Sequence, residues 1–263
     1  MTYGQFLLIF LVLPLVILAW RMRRHLGFRQ TRFLALLSLV ALVYTTPWDN
    51  YLVATGVWYY NPDLVAGITL GWVPLEEYLF FVLQPLLVGL GVFYLSRRWP
   101  SFQIATTGPA WLRLFAVFAG GLVWLGAVAI LIAGWPPGTY LGLELVWALP
   151  PILLQLAFGA DILWQHRRWV MLALLSAVAY FSVADALAIS SGTWAINPAA
   201  SLNVFIGGIL PIEELVFFIL TNTLIVFSVV LTSVSASRVR AASWIESGTS
   251  RISGGRLSKW GIE

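Results

Sequence analysis

The chain has 263 residues, 60% hydrophobic and only 10% charged, with 15 Lys and Arg against 11 Asp and Glu for a net charge of +4. Soluble domains carry roughly a quarter charged residues, so this composition predicts a polytopic integral membrane protein. The absence of cysteine excludes disulfides, thiolate metal sites and Cys nucleophiles.

Seven stretches are long enough to cross a hydrocarbon core, which needs about 20 residues. They run approximately Tyr3–Trp20, Phe33–Tyr51, Leu64–Ser96, Trp111–Gly134, Tyr140–Trp164, Trp169–Ile189 and Leu202–Val234. The first follows Met1-Thr2-Tyr3-Gly4-Gln5, with neither a positive leader region nor a small-residue cleavage site, and reads as a retained helix. Arg21, Arg23, Arg24, Arg29 and Arg32 separate the first two stretches; Arg97, Arg98 and Arg113 separate the third and fourth; Arg167 and Arg168 separate the fifth and sixth. Arg238, Arg240, Arg251, Arg256 and Lys259 follow the seventh, whereas the alternate loops (47–63, 135–139 and 190–201) hold no Lys or Arg. The positive-inside rule then places the N-terminus outside and the C-terminus in the cytoplasm, with the plasma membrane as the expected location. Topology accounts for these cations, so no nucleic-acid partner is expected. His25 and His166 sit among arginines as interfacial residues, and no cluster of them predicts a metal site. From Ser235 onward the chain is rich in Ser, Gly and Arg and lacks periodicity, which predicts a disordered or surface-associated basic tail that meets anionic lipid headgroups.

The chain repeats itself. Asp49, Gly56, Trp58, Asn61 and Pro62 recur at one constant offset as Asp185, Gly192, Trp194, Asn197 and Pro198. Pro74, Glu76, Glu77, Phe80 and Phe81 recur as Pro211, Glu213, Glu214, Phe217 and Phe218, at an offset longer by a single inserted position. Spans one to three therefore match spans five to seven. An unpaired fourth span restores the direction, so both halves insert the same way round about an axis along the membrane normal. The predicted fold is all-α, seven transmembrane helices as two parallel three-helix repeats plus a linker helix. The units are residues 1–100, linker 101–136, residues 137–234 and tail 235–263. Gly and Asn-Pro mark turns in each outer loop. Trp58, Trp194, Tyr59 and Tyr60 suit an aromatic belt at the headgroups, and the repeat-matched Trp58 and Trp194 suit a site lining equally well.

The doubled Glu-Glu pairs stand within apolar runs, where ionisable groups mark functional sites. Arg97 lies 21 residues after Glu76, and Arg238 lies 25 after Glu213. At about 1.5 Å per residue these separations approximate one hydrocarbon thickness, which puts the acids near its outer boundary. Adjacent helical residues diverge by roughly 100°, so one acid of each pair is expected to face the interior and the other a flank. Phe80 and Phe81, and likewise Phe217 and Phe218, stack four residues beyond the acids on the same faces. Desolvation and a like-charged neighbour favour a protonated carboxylic acid, a proton donor in waiting. Glu-Glu after Pro also makes an ordinary helix start, although a cap requires no matching loop.

A Pro-(Leu/Ile)-Glu-Glu motif followed by two Phe and preceded by Asp…Gly-x-Trp…Asn-Pro, present twice, resembles the fused two-repeat form of the lycopene cyclase domain. The resemblance spans about residues 3–234. It departs from strict duplication at Asp49-Asn50 against Asp185-Ala186 and at Gln84-Pro85 against Thr221-Asn222, where Pro85 is expected to bend one span only. The resemblance implies an isomerase of carotenoid biosynthesis that cyclises the acyclic ends of lycopene or a related carotene. A proton adds to a terminal double bond, a second double bond attacks the tertiary cation, and a proton leaves to give the ring. Under this reading Glu76, Glu77, Glu213 and Glu214 handle the protons. Trp58, Trp194, Phe80, Phe81, Phe217 and Phe218 offer π faces to the cation, with Asp49, Asp185, Asn61 and Asn197 in support. No metal and no cofactor is required, in keeping with the missing Gly-x-Gly-x-x-Gly turn of a flavin or nicotinamide site. The implied partners are the carotenoid, membrane lipid and other enzymes of the carotenoid pathway.

Two other readings compete. A seven-span retinal protein needs a Lys in its last span, and the single Lys here is Lys259 in the tail. A proton-coupled small-solute transporter with parallel three-helix repeats uses intramembrane carboxyls equally well, but this chain offers few polar groups to a hydrophilic solute.

Overall fold

The computed structural model describes residues 1–98 and 107–243. Seven helices among the described residues are long and apolar enough to cross a membrane. They are α1 (Tyr3–Met22), α2 (Phe28–Ala54), α3 (Leu75–Arg98), α4 (Trp111–Ile132), α5 (Thr139–Gln165), α6 (Arg167–Ser190) and α7 (Ile212–Ser233). Pro85 is accommodated inside α3 without a break, whereas α5 kinks at Gly159. In α1 the five residues Leu8–Val12 form a π-helical segment ahead of Pro14, whose ring removes one ladder hydrogen bond.

Helices α3 and α7 pack against each other at the centre. Around them, α1 and α2 lie against α3, α5 and α6 lie against α7, and α4 covers the outside of α5. The two repeats meet about a pseudo-twofold axis. At the end of the bundle that the sequence reading places outside, β1 (Trp58–Tyr60) pairs antiparallel with β4 (Trp194–Ile196), and Tyr59 opposes Ala195, its own repeat mate. Deeper in, Gln84 Nε2 donates to Thr221 Oγ1 at 3.2 Å, again between repeat mates. Gly56 and Gly192, with φ of +70° and +71°, make the tight turn that carries each outer helix into this ribbon, a conformation that glycine adopts without strain.

The third and seventh apolar stretches are shorter helices than their hydropathy predicts. Instead of continuing the spans, residues before each Glu-Glu pair fold into small hairpins, β2 (Thr69–Leu70) with β3 (Val73–Pro74) and β5 (Phe205–Ile206) with β6 (Leu210–Pro211). Positive-φ glycines at 71, 207 and 208 turn these hairpins, and Pro74 and Pro211 end the second strands just before the helices begin. Apolar composition alone cannot distinguish such a hairpin from another helical turn.

The tail also differs from expectation at its start. Residues 235–243 are helical, and the rest of the predicted tail, with Arg251, Arg256 and Lys259, lies outside the described residues. Arg240 explains the order: its Nη1 and Nη2 donate to the two Asp161 carboxylate oxygens at 2.7 and 2.6 Å, and Nη1 also donates to the Phe158 carbonyl at 2.6 Å. Asp161 is buried, and Arg113 stands 3.7 Å from it on the other side. This bidentate clamp ties the segment after α7 to the inner end of α5. Removing one partner of a buried pair costs about 3–5 kcal/mol when nothing replaces it. Arg113 remains, so Arg240→Gln is expected to fall at or below the lower end of that range, read as a lower thermal midpoint in detergent with pigment conversion retained in membranes.

Candidate active site

All four glutamates of the doubled motif are buried in the first turns of α3 and α7. Helical geometry splits each pair as the helical rotation requires, but neither member points to a lipid flank. Glu76 and Glu213 turn back to their own hairpins: the Ala66 and Leu202 amides donate to their Oε1 atoms at 2.6 Å each, and Ser201 Oγ adds a bond to Glu213 at 3.0 Å. Glu77 and Glu214 face the interior. The Tyr3 phenol donates to Glu77, Tyr60 donates to the same Oε2 at 3.0 Å, and Tyr140 donates to Glu214 Oε1 at 2.9 Å. Tyr3 and Tyr140 are repeat mates, separated by the same offset as the Glu-Glu pairs, on the outer ends of α1 and α5.

Asp49 and Asp185, buried near the outer ends of α2 and α6, complete the inner group. Both lie within electrostatic reach of Glu77, and Glu214 is within reach of Asp185 and Glu77. The two repeats thus bring their acids together at the pseudo-twofold axis. The hydrogen bonding around them is not symmetric. Trp194 Nε1 donates to Asp185 Oδ1 at 2.9 Å, whereas Trp58 Nε1 and Asp49 Oδ2 have no partner. Trp58 and Trp194 are buried and stack at 6.2 Å between ring centroids, so they line the carboxyl cluster and do not form a headgroup belt. Tyr60 roofs the same cluster. Burial, followed by the Asp49 and Glu77 charges, pushes its phenol well above the ordinary tyrosine range and keeps it a donor.

The remaining candidates divide. Asn61 and Asn197 accept from the Asp63 and Ala199 amides at 3.0 Å each, and Asn197 Nδ2 donates to the Gly56 carbonyl at 2.9 Å. They hold the outer loops and do not reach the acids. Phe80 and Phe218 pack against Phe181, and Phe6 joins Phe80, on the α1/α6 side. Phe81 and Phe217 line a cavity of about 200 Å³ on the α2/α5 side, among Tyr44, Gln84, Trp147 and Gln155. Sequence reasoning missed Tyr3 and Tyr140, although their offset matches the motif, and it missed Trp48 and Trp147. It gave Glu144 no role. Glu144 is fully buried on α5, within electrostatic reach of Glu213 and Glu214. Neither Glu144 oxygen meets a donor in hydrogen-bond geometry, although the Tyr140 phenol is a neighbour. Among the described residues no group of His, Cys, Asp or Glu is arranged to hold a metal ion.

The family model for lycopene cyclase matches residues 2–95 and 137–232, one segment for each half. The chain belongs to the lycopene cyclase family. It is 40% identical over 190 residues to a lycopene beta-cyclase of Halobacterium salinarum, covering 72% of this chain and 77% of that protein. It is 36% identical over 201 residues to a bifunctional lycopene cyclase/phytoene synthase of Gibberella fujikuroi and 35% identical over 223 residues to one of Podospora anserina. Those alignments cover 75% and 81% of this chain but only 34% and 36% of the fungal proteins. No solved structure matches the chain.

The split between hairpin-facing and inward-facing glutamates has a measurable consequence. Leaving a buried donor unsatisfied costs about 1–3 kcal/mol. Glu213→Ala is therefore expected to speed hydrogen exchange at the Leu202 amide by roughly 10- to 100-fold while exchange in the middle of α7 stays unchanged; equal acceleration along α7 would assign Glu213 to the helix and not to the hairpin.

Proposed function

We propose that this protein is a lycopene cyclase that forms rings at the acyclic ends of lycopene or a related carotene by proton transfer from the buried carboxyl cluster. The observation that carries the reading is the convergence of repeat-matched acids, Glu77 with Glu214 and Asp49 with Asp185, beneath a roof of Trp58, Trp194 and Tyr60. These acids meet phenols and an indole, while both salt bridges of the described residues belong to Asp161. A carboxyl buried without a cation holds its proton until a base is presented, which is the state a general acid needs. Glu77 and Glu214 occupy the central positions and carry the proton traffic. Glu76 and Glu213 fix the hairpins that close the outer side.

The reaction is an isomerisation. The terminal double bond takes a proton, its tertiary cation is closed by the next double bond, and loss of a proton leaves the ring with no net oxidation. The protein must exclude water from the cation and present π faces to it, and the buried indoles and phenyl rings beside the acids suit both tasks. A largely apolar lining suits a carotene better than the hydrophilic solute of a transporter. The arginines at the opposite helix ends from the Glu-Glu pairs favour an arrangement with the N-terminus and acid layer outside and the C-terminus in the cytoplasm, in the plasma membrane. Two parallel repeats, residues 1–100 and 137–234, joined by α4, follow from the same pattern. Other carotenoid-pathway enzymes, which supply lycopene and consume the cyclic product, are its natural neighbours in the bilayer.

General acid–base catalysis typically contributes roughly 100- to 10,000-fold. In cells that accumulate lycopene, Glu77→Gln and Glu214→Gln are each expected to reduce cyclic pigment by about 100-fold or more with the protein still in the membrane fraction. Wild-type pigment in both variants would remove these two acids from the reaction.

A further inference from the structure

The two sides of the pseudo-twofold axis differ, and the difference bears on where substrate enters. On the α2/α5 side a groove runs along the seam, backed by α3 and α7. Its outer part is bounded by Val43, Pro47, Trp48 and Trp147. Its middle chamber shares Val40, Tyr44 and Trp147 with that part, and shares Gln155 and Ser228 with an inner part that reaches Phe28 and Arg29. From Phe28 to Trp48 on α2 the groove covers roughly 30 Å, about one hydrocarbon thickness. At its outer end Trp48, Trp147 and Phe217 lie nearly parallel, with interplanar angles of 15°, 4° and 16° and centroids 4.4 to 6.4 Å apart. One helical turn farther out, on the same helices as Trp147 and Phe217, stand Glu144, Glu213 and Glu214.

The mate positions on the α1/α6 side carry different chemistry. The two repeat offsets place Ala184 where Trp48 stands, Phe10 for Trp147, Leu7 for Glu144 and Leu18 for Gln155. The hydrogen bond between the helices is shared: Tyr44 donates to the Trp147 carbonyl at 2.8 Å, and Tyr180 donates to the Phe10 carbonyl at 2.8 Å. There, however, Phe6, Phe80, Phe181 and Phe218 fill the interface with ring contacts. Glu144 therefore has no counterpart. It is a fully buried acid with both oxygens unpaired, beside the outer end of the α2/α5 groove.

We propose that the α2/α5 groove is the single carotenoid-binding site, and that Glu144 at its outer end gives the proton to the substrate end group while the α1/α6 side is a structural counterpart. The inference rests on the cyclase reading above. An extended polyene lies along the seam with its end group past the Trp48–Trp147–Phe217 layer. The Glu144 O–H proton bonds to the CH carbon of the terminal double bond with that bond's electron pair, which leaves the cation on the tertiary dimethyl carbon. The tertiary cation takes the electron pair of the next double bond to close the ring. Glu214 then passes its own proton to the Glu144 carboxylate and takes the proton that the ring loses. Nothing is oxidised and both acids are restored. A linear substrate with two acyclic ends is turned over one end at a time, so a one-ring intermediate precedes the two-ring product.

A mirrored pair of substitutions tests the proposal. Ala41 lines the middle chamber, and Ala177 is its mate on α6 across the axis, also half-buried. In membranes supplied with lycopene, Ala41→Trp is expected to lower ring formation at least tenfold, while Ala177→Trp retains at least half of it at equal protein level. Glu144→Gln preserves shape, guarding against a misfolded Ala41→Trp, and is expected to cut kcat about 100-fold with KM little changed. Equal loss in the two Trp variants, full activity in Ala41→Trp, or a wild-type rate in Glu144→Gln would each overturn the proposal. Wild-type membranes that form no rings at all would instead overturn the cyclase reading on which it stands.

Discussion

Seven carboxyl groups are buried at the outer ends of these helices without a cation beside them, and the architecture supplies five of them with hydrogen-bond donors. Glu76, Glu77, Asp49, Glu144, Asp185, Glu213 and Glu214 are all nearly inaccessible. An apolar bilayer offers them nothing, so the partners must come from the protein. The loops leading into the hairpins before α3 and α7 provide backbone amides, α1 and α5 provide the Tyr3 and Tyr140 phenols, and the β1–β4 ribbon places Tyr60 and Trp194 over the centre. The contrast with Asp161 is instructive, since that acid, at the opposite end of α5, is clamped by Arg240 in an ordinary ion pair. One end of the molecule pairs its buried acid with arginine, and the other surrounds its acids with neutral donors.

Duplication gives the cluster its geometry. Because the repeats run parallel, corresponding acids converge on one axis, and residues on that axis meet their own mates, as Tyr59 meets Ala195 and Gln84 meets Thr221. Chemistry on a single substrate end needs less symmetry than this. The fold breaks it through a few side chains: Trp48, Trp147 and Glu144 on one side, and Ala184, Phe10 and Leu7 on the other. Trp58 and Trp194 show the same divergence, since only the second indole N–H finds its aspartate.

Much of this was legible in the sequence because membrane helices and duplicated motifs leave strong one-dimensional signals. The seven helices, the family and the burial of Glu76, Glu77, Glu213 and Glu214 follow from hydropathy and from the repeat. Local chain geometry was less visible. The hairpins at 69–74 and 205–211 are as apolar as the helices they precede, so hydropathy extended the spans across them. Which glutamate of each pair faces inward depends on the phase at which each helix starts, and that phase is set by the hairpins. Tyr3 and Tyr140 were hidden because a lone tyrosine at a membrane boundary resembles a belt residue. Arg240 was hidden because its partner Asp161 is 79 residues away. Trp48, Trp147 and Glu144 lack repeat mates of their own kind, so a search for what the halves share passed over the residues that distinguish them.

The central claim is that protons from buried acids, and no redox chemistry, drive ring formation. Isolated membranes washed free of soluble nucleotides and equilibrated in D2O test it most directly, with cyclic product analysed by mass spectrometry. Incorporation of one deuterium for each ring closed, at the CH carbon of the former terminal double bond, is the predicted result. Rings that carry no deuterium, or rings that form only when a reduced flavin is added, would contradict it.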